Sequence, residues 1–171
     1  MDPIFSLIIR TGLGLLFATA AFSKLRNRRD FYAAVLAYQL MPPRWAINLA
    51  GILPWIEVAI AIGLVLEVTL ARISAAGILL AYALAMTVNI RRGRRDIDCG
   101  CGGDPQPLSV WLVIRNLIMA GAALAPSFWP AGDRPLKSVD ALIIIGTLSA
   151  LMLLYTTGHR LLANFLNSDH K

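Results

Sequence analysis

WAINLAGILPWIEVAIAIGLVLEVTLARISAAGILLAYALAMTVNI, residues 45–90, decides the fold. It holds two apolar runs, Trp45 to Leu66 and Leu70 to Ile90, separated only by a few residues around Glu67 to Thr69. Each run is near the roughly 20 residues that an α-helix needs to cross the hydrocarbon of a bilayer. In lipid every backbone N–H and C=O must find its partner inside the protein, so runs of this length are helices. The short alternating strands of a membrane barrel are absent. A connection this short makes the two helices a tight antiparallel hairpin.

Three further runs of the same kind flank the hairpin: Ile4 to Phe22, Val110 to Trp129 and Val139 to Tyr155. The expectation is an all-α membrane protein, a bundle of about five transmembrane helices forming one domain over residues 1–171. Composition agrees. Of 171 residues 57% are hydrophobic and 15% charged, against roughly 25% charged in soluble domains. A soluble fold of this length has too little interior for so much apolar side chain. The net charge of +6 is not a nucleic-acid signature. The basic residues sit in short stretches between apolar runs, and no recognition motif accompanies them. In the first run Ala18-Thr19-Ala20 has the look of a signal-peptide cleavage site. Asp2 and Arg10 argue against one, and a retained anchor helix is expected.

Between the first two runs, Lys24 to Arg44 opens with four basic residues and then places Phe31, Val35 and Tyr38 at helical spacing, with Leu36 and Leu40 beside them. This reads as an amphipathic helix on the membrane surface that packs on the bundle and ends at Pro42-Pro43. The connections on one side of the bundle carry Lys24, Arg26, Arg28, Arg29, Arg44, Arg91, Arg92, Arg94, Arg95, Arg160 and Lys171; the other side has Arg72, Arg134 and Lys137. Basic residues accumulate in the cytoplasm, so the N-terminus is expected outside and the C-terminus in the cytoplasm, as in a protein of the bacterial inner membrane.

The most specific local feature is Asp98-Cys99-Gly100-Cys101-Gly102-Gly103, in the loop 91–109, which holds both cysteines of the chain. One intervening glycine lets the backbone turn sharply enough for the sulfurs to meet. A disulfide closing so small a ring is strained, and strained disulfides are the labile or catalytic ones. Arg91, Arg92, Arg94 and Arg95 lie just upstream, and their field is expected to favour the reactive thiolate, offset in part by Asp96 and Asp98. A redox-active dithiol is the leading reading, with Cys99 and Cys101 as the catalytic residues; which of them attacks is open. Two unreactive thiols in a glycine-rich turn are the alternative. A metal site is weaker, because two sulfurs need further ligands and the histidines, His159 and His170, are in the C-terminal tail.

Arg10 and Glu57 interrupt apolar runs, where charge is costly and normally meets a partner or lines a cavity. Each lies about 12 residues, roughly 18 Å, from the basic end of its helix. Equal depth on consecutive antiparallel helices leads us to expect a direct Arg10–Glu57 ion pair beside the helix interruption at Pro54. Arg115 and Asn116 lie one to two turns into the fourth run, level with Asn89.

With these residues in hand, the chain resembles the MauE branch of the DoxX-like membrane proteins. The resemblance is carried by Arg10-x-x-x-Gly14, Phe22-Ser-Lys24-Leu25, Tyr38-Gln-Leu-Met-Pro42, Leu53-Pro54-x-x-Glu57, the cysteine motif, and Arg115-Asn116. The family often has an aromatic residue after the second cysteine, where this chain has Gly102. The resemblance implies a DoxX-like four-helix core plus one helix, and a role in maturing the small subunit of methylamine dehydrogenase, a periplasmic, disulfide-rich protein. It also implies a thioredoxin-like partner. No cofactor is required by the residues; a quinone among the helices near Arg10, Glu57 and Arg115 is a candidate electron acceptor. The competing class is a small membrane transporter or non-catalytic assembly factor built on the Arg10/Glu57 pair. A periplasmic pathway also conflicts with the charge bias, which puts the cysteines on the cytoplasmic side; either the loop folds back into the bundle, or the protein imports reducing equivalents, or the topology is inverted.

Overall fold

The computed structural model describes residues 3–101 and 106–128, with scattered helical positions from Asp140 to Thr157. Its helices are α1 (Pro3–Arg26), α2 (Arg28–Ala37), α3 (Pro43–Val65), α4 (Thr69–Arg91) and α5 (Val110–Phe128). All but α2 are long and apolar enough to cross a membrane. The chain is thus an all-helical, multi-pass membrane protein; among the described residues the only pairing of extended backbone is one antiparallel bridge, Asp98 with Pro107. The fifth expected span, Val139 to Tyr155, lies outside the described residues apart from those scattered positions. The chain divides into two compact units, Ile9–Trp129 and Met1–Ile8 with Pro130–Lys171. The cysteine loop and the charges of the spans belong to the first.

Local chemistry sets where the helices stop. α1 breaks at Asn27, whose backbone leaves the helical region (φ −112°, ψ 54°), and α2 starts at once. α2 ends where Gln39 takes a positive φ of 48°, and Pro43 opens α3 at a position that needs no N–H. The α3–α4 turn is a Schellman closure. Val68 N donates to Gly63 O at 2.9 Å and Glu67 N to Leu64 O at 3.3 Å, with Glu67 in the left-handed region (φ 61°). α4 ends the same way, with Gly93 (φ 76°) at the left-handed position and Arg94 N donating to Asn89 O at 3.0 Å.

The bundle core is built largely from small side chains. Ala61, Ala71, Ala75, Ala76, Ala120 and Ala123 pack with Leu13, Phe17, Ile60, Leu64 and Leu79. Lipid tails are as apolar as leucine, so helices in a membrane gain from close approach, which small residues permit. Trp45, Trp55, Leu70, Leu84 and Phe128 point outward, where a bilayer would cover them. α2 buries Phe31 and Ala34, and Tyr38 follows on the same face. Val35 is only half-buried and Leu36 and Leu40 are exposed, so the surface helix packs on the bundle as expected, through a face shifted by one residue.

The closest approach is at Gly63, where an added Cβ would stand 2.6 Å from the Cβ of Ala71. Gly63→Ala must therefore push α3 and α4 apart, at an expected cost of about 1–3 kcal/mol. Gly77 has nothing within 4 Å of an added Cβ, so Gly77→Ala should be neutral or gain up to about 1 kcal/mol in helix propensity. Thermal unfolding in detergent micelles compares the two; equal midpoints would contradict the α3–α4 contact.

Candidate functional site

The cysteine loop is held by its arginines and by a short lap of backbone. Arg94 Nη2 donates to Ala37 O at 2.8 Å and Arg94 Nη1 to Gln39 Oε1 at 3.1 Å, while Arg92 Nη1 reaches Gln39 O at 3.3 Å. Both side chains thus engage the C-terminal end of α2, where unsatisfied carbonyls favour cations. Cys99 N donates to Gln106 O at 2.9 Å and Gln106 N to Asp98 Oδ1 at 3.0 Å. Gly100 has φ 66° and lies against Phe31 and Ala34 of α2, which needs a residue free of the usual left-handed penalty. The Tyr38 hydroxyl donates to Cys99 O at 2.9 Å. The loop therefore folds back into the bundle. Cys99 is 7% exposed and packs with Met86, Leu108 and Leu112. Gly102 and Gly103 lie outside the described residues.

The two cysteines are free thiols, and their surroundings drive them apart in acidity. Cys101 N donates to Cys99 Sγ at 3.2 Å. A hydrogen bond from the Cys99 thiol, helped by the Arg115 guanidinium and the Lys24 ammonium, outweighs burial and lowers the Cys101 pKa to about 7. Cys99 is pushed up by the same hydrogen bond and by burial. Tyr38 is pushed up by burial and by the negative charge of the nearby sulfurs and Asp98. These surroundings favour a thiolate at Cys101 over one at Cys99. Of the arginines upstream, Arg92 and Arg94 bond the end of α2, and Arg115 from α5 and Lys24 from α1 are cations that act on Cys101.

The expected Arg10–Glu57 pair is not formed. Arg10 pairs with Glu67 in the α3–α4 turn. Glu57 pairs with Lys24, and Lys24 and Glu57 are 2% and 1% exposed. The Lys24 Nζ also donates to the Tyr82 hydroxyl at 3.0 Å, and that hydroxyl donates to the same Glu57 oxygen. The ammonium lies 4.8 Å from the centre of the Tyr82 ring and 5.2 Å from that of Phe31, where the faces of the rings favour a cation. The end of the first helix is not level with the start of the second. α1 runs on to Arg26 and stops beside the middle of α3; at 1.5 Å per residue, the part of α3 before Glu57 is about 21 Å long, and α2 starts where α1 stops. Arg10, fourteen residues before Lys24, is about 21 Å away along the same helix. It therefore leaves the group of Arg10, Glu57 and Arg115 around which a quinone was placed.

Asn116 is buried on α5, donating to Leu112 O at 2.7 Å and approaching Met86 Sδ at 3.9 Å, so it ties α5 to α4. Arg115 acts on the dithiol as described. Sequence reasoning missed Lys24 and Tyr82 as members of this cluster. The signal for Lys24 was present, since it is the one lysine in the Phe22-Ser-Lys24-Leu25 stretch. For Tyr82 it was only that a hydroxyl interrupts an apolar run.

The family profile described as Methylamine utilisation protein MauE matches residues 2–128. The methylamine utilization protein MauE of Paracoccus denitrificans is 41% identical over 73% of this chain and 69% of its own length. That of Methylorubrum extorquens is 44% identical over 72% of this chain and 67% of its own. That of Methylophilus methylotrophus is 31% identical over 99% and 92%. No solved structure matches the chain. The matched span holds every residue of the dithiol cluster and the whole of the described bundle from Ile9 to Phe128, and on that evidence the chain belongs to the MauE family.

Proposed function

We propose that this protein is a membrane thiol–disulfide exchange factor of methylamine utilisation, in which Cys101 attacks and Cys99 resolves. The observation that carries this reading is geometric: two free thiols flank the turn at Gly100, with Cys101 N donating to Cys99 Sγ at 3.2 Å, and the Arg115 and Lys24 cations favour a thiolate at Cys101. Exchange requires one thiolate to open the partner's bond and a second thiol to close the mixed disulfide. The Cys101 thiolate attacks one sulfur of a partner protein's disulfide; the S–S bond breaks, a mixed disulfide forms, and the partner's other sulfur leaves as a thiolate. Cys99 then loses its proton and attacks Cys101 Sγ. The Cys99–Cys101 bond forms and the second partner sulfur leaves, so two electrons have passed to the partner. The displaced thiolates take up one proton from Cys99 and one from water. The reverse sequence delivers a disulfide to a partner dithiol.

The partner class follows from the family resemblance: a thioredoxin-like protein, and through it the small subunit of methylamine dehydrogenase. We place the protein in the bacterial inner membrane with its N-terminus outside and its C-terminus in the cytoplasm, on the strength of the basic loops. The fold-back of loop 91–109 eases the conflict between that orientation and a periplasmic pathway, because it draws the dithiol inward. Arg10 and Glu57, on whose pairing a transporter or assembly factor would rest, have other partners, which favours the exchange reading.

Two outcomes follow. With a thioredoxin-like partner, Cys99→Ser should accumulate a mixed disulfide through Cys101 on non-reducing gels, while Cys101→Ser should form none. Equal trapping by both variants would remove the assigned roles. Alkaline phosphatase fused after Lys171 should be inactive, because that enzyme works only outside the cytoplasm; an active fusion would invert the topology.

A further inference from the structure

The pair Lys24–Glu57 is the most deeply buried charge in the described bundle, and exchange at the dithiol does not by itself use it. Glu57 Oε1 receives both Lys24 and Tyr82, whereas Glu57 Oε2 is buried with no hydrogen-bond partner among the described residues. The carboxylate is therefore held on one side only. Lys24 pairs with the Glu57 carboxylate from α3, and the cysteine loop reaches it on two sides: Gly100 packs against Phe31, whose ring carries the ammonium, and Cys101 shares a cluster with Tyr82, whose hydroxyl Lys24 bonds, so the ammonium also acts on the Cys101 sulfur. The other polar or charged groups around this point are Tyr82 from α4, Arg115 from α5, Tyr38 following α2, and Cys99 and Asp98 in the loop.

We propose that Lys24 is shared between the Cys101 sulfur and the Glu57 carboxylate, so that Glu57, a positioning residue acting through Lys24, limits how strongly Cys101 is held as a thiolate. Glu57 acts only by drawing the ammonium away from the sulfur; removing its charge leaves Lys24 to the thiolate, and without Lys24 it has no effect on Cys101. When Cys101 enters a disulfide it loses its charge, and Lys24 returns wholly to Glu57, so the cation never lies unpaired in a low-dielectric interior. The pair thereby supports both redox states of the dithiol. This rests on the dithiol reading of the site.

The test is the pH profile of alkylation of the reduced, purified protein by iodoacetamide, with Cys99 and Cys101 distinguished by fragment mass spectrometry. No partner is needed, so a failure here is separate from a failure of exchange. The wild-type Cys101 midpoint should lie at about 7. Lys24→Gln should raise it and Glu57→Gln should lower it, each by about one pH unit, a tenfold change in thiolate fraction; Lys24→Arg should keep it near wild type. Loss of packing alone would move both variants in the same direction or neither. If the single variants do not fold, because each leaves a lone buried charge, the neutral double variant Lys24→Gln with Glu57→Gln decides. The proposal expects its midpoint above wild type, because the cation has gone. A midpoint at or below wild type in the double variant, or shifts of the same sign in the two singles, would overturn it.

Discussion

A buried ammonium and a buried carboxylate can persist in this bundle only together. Taking either ion out of water costs several kcal/mol, and removing one partner of such a pair typically costs about 3–5 kcal/mol because the other is left uncompensated. Lys24 and Glu57 meet with Tyr82 bridging them, and Phe31 and Tyr82 turn their ring faces to the cation. That one contact fixes the end of α1 against the middle of α3 and α4. Phe31 of α2 then lies against the lysine, and the cysteine loop lies near Lys24 and Arg115.

The loop exploits those cations. Two neighbouring thiols buried without a cation would both remain protonated, since burial disfavours thiolate. The hydrogen bond between the two sulfurs, with Arg115 from α5 and Lys24 from α1, favours a thiolate at Cys101 over one at Cys99. Both cysteines pack on the cluster of Met86, Leu108 and Leu112, and the backbone turn at Gly100 sets them side by side. Arg92 and Arg94 contribute by tying the loop to the end of α2.

Much of this was legible from residue order alone, and the failures share one cause. The four described spans were legible because hydrocarbon thickness sets a length that apolar runs display directly. The hairpin turn was legible from its brevity, and α2 from the spacing of Phe31 and Tyr38. Hydropathy, however, ends a helix at its first lysine, so α1 was closed at Phe22 and Lys24 was assigned to a loop. Depth along each helix was then counted from ends that are not level, and Glu57 received the wrong cation. The cysteine motif marked where the two thiols lie, but the cations beside them were hidden, because they arrive from helices far away in the chain. Only the pairing of a buried charge with its partner in three dimensions tells Lys24 from the other basic residues around it.

The central claim is that Cys99 and Cys101 are an exchanging dithiol rather than two inert thiols or a structural bridge. The most direct measurement is the redox midpoint of the pair, read by thiol trapping after equilibration in glutathione buffers of graded poise. The strained small ring and a stabilised Cys101 thiolate both favour the reduced form, so the account predicts a reversible disulfide with a midpoint above about −230 mV. A disulfide that never forms, or one that resists reduction until below about −300 mV as structural bridges do, would contradict it.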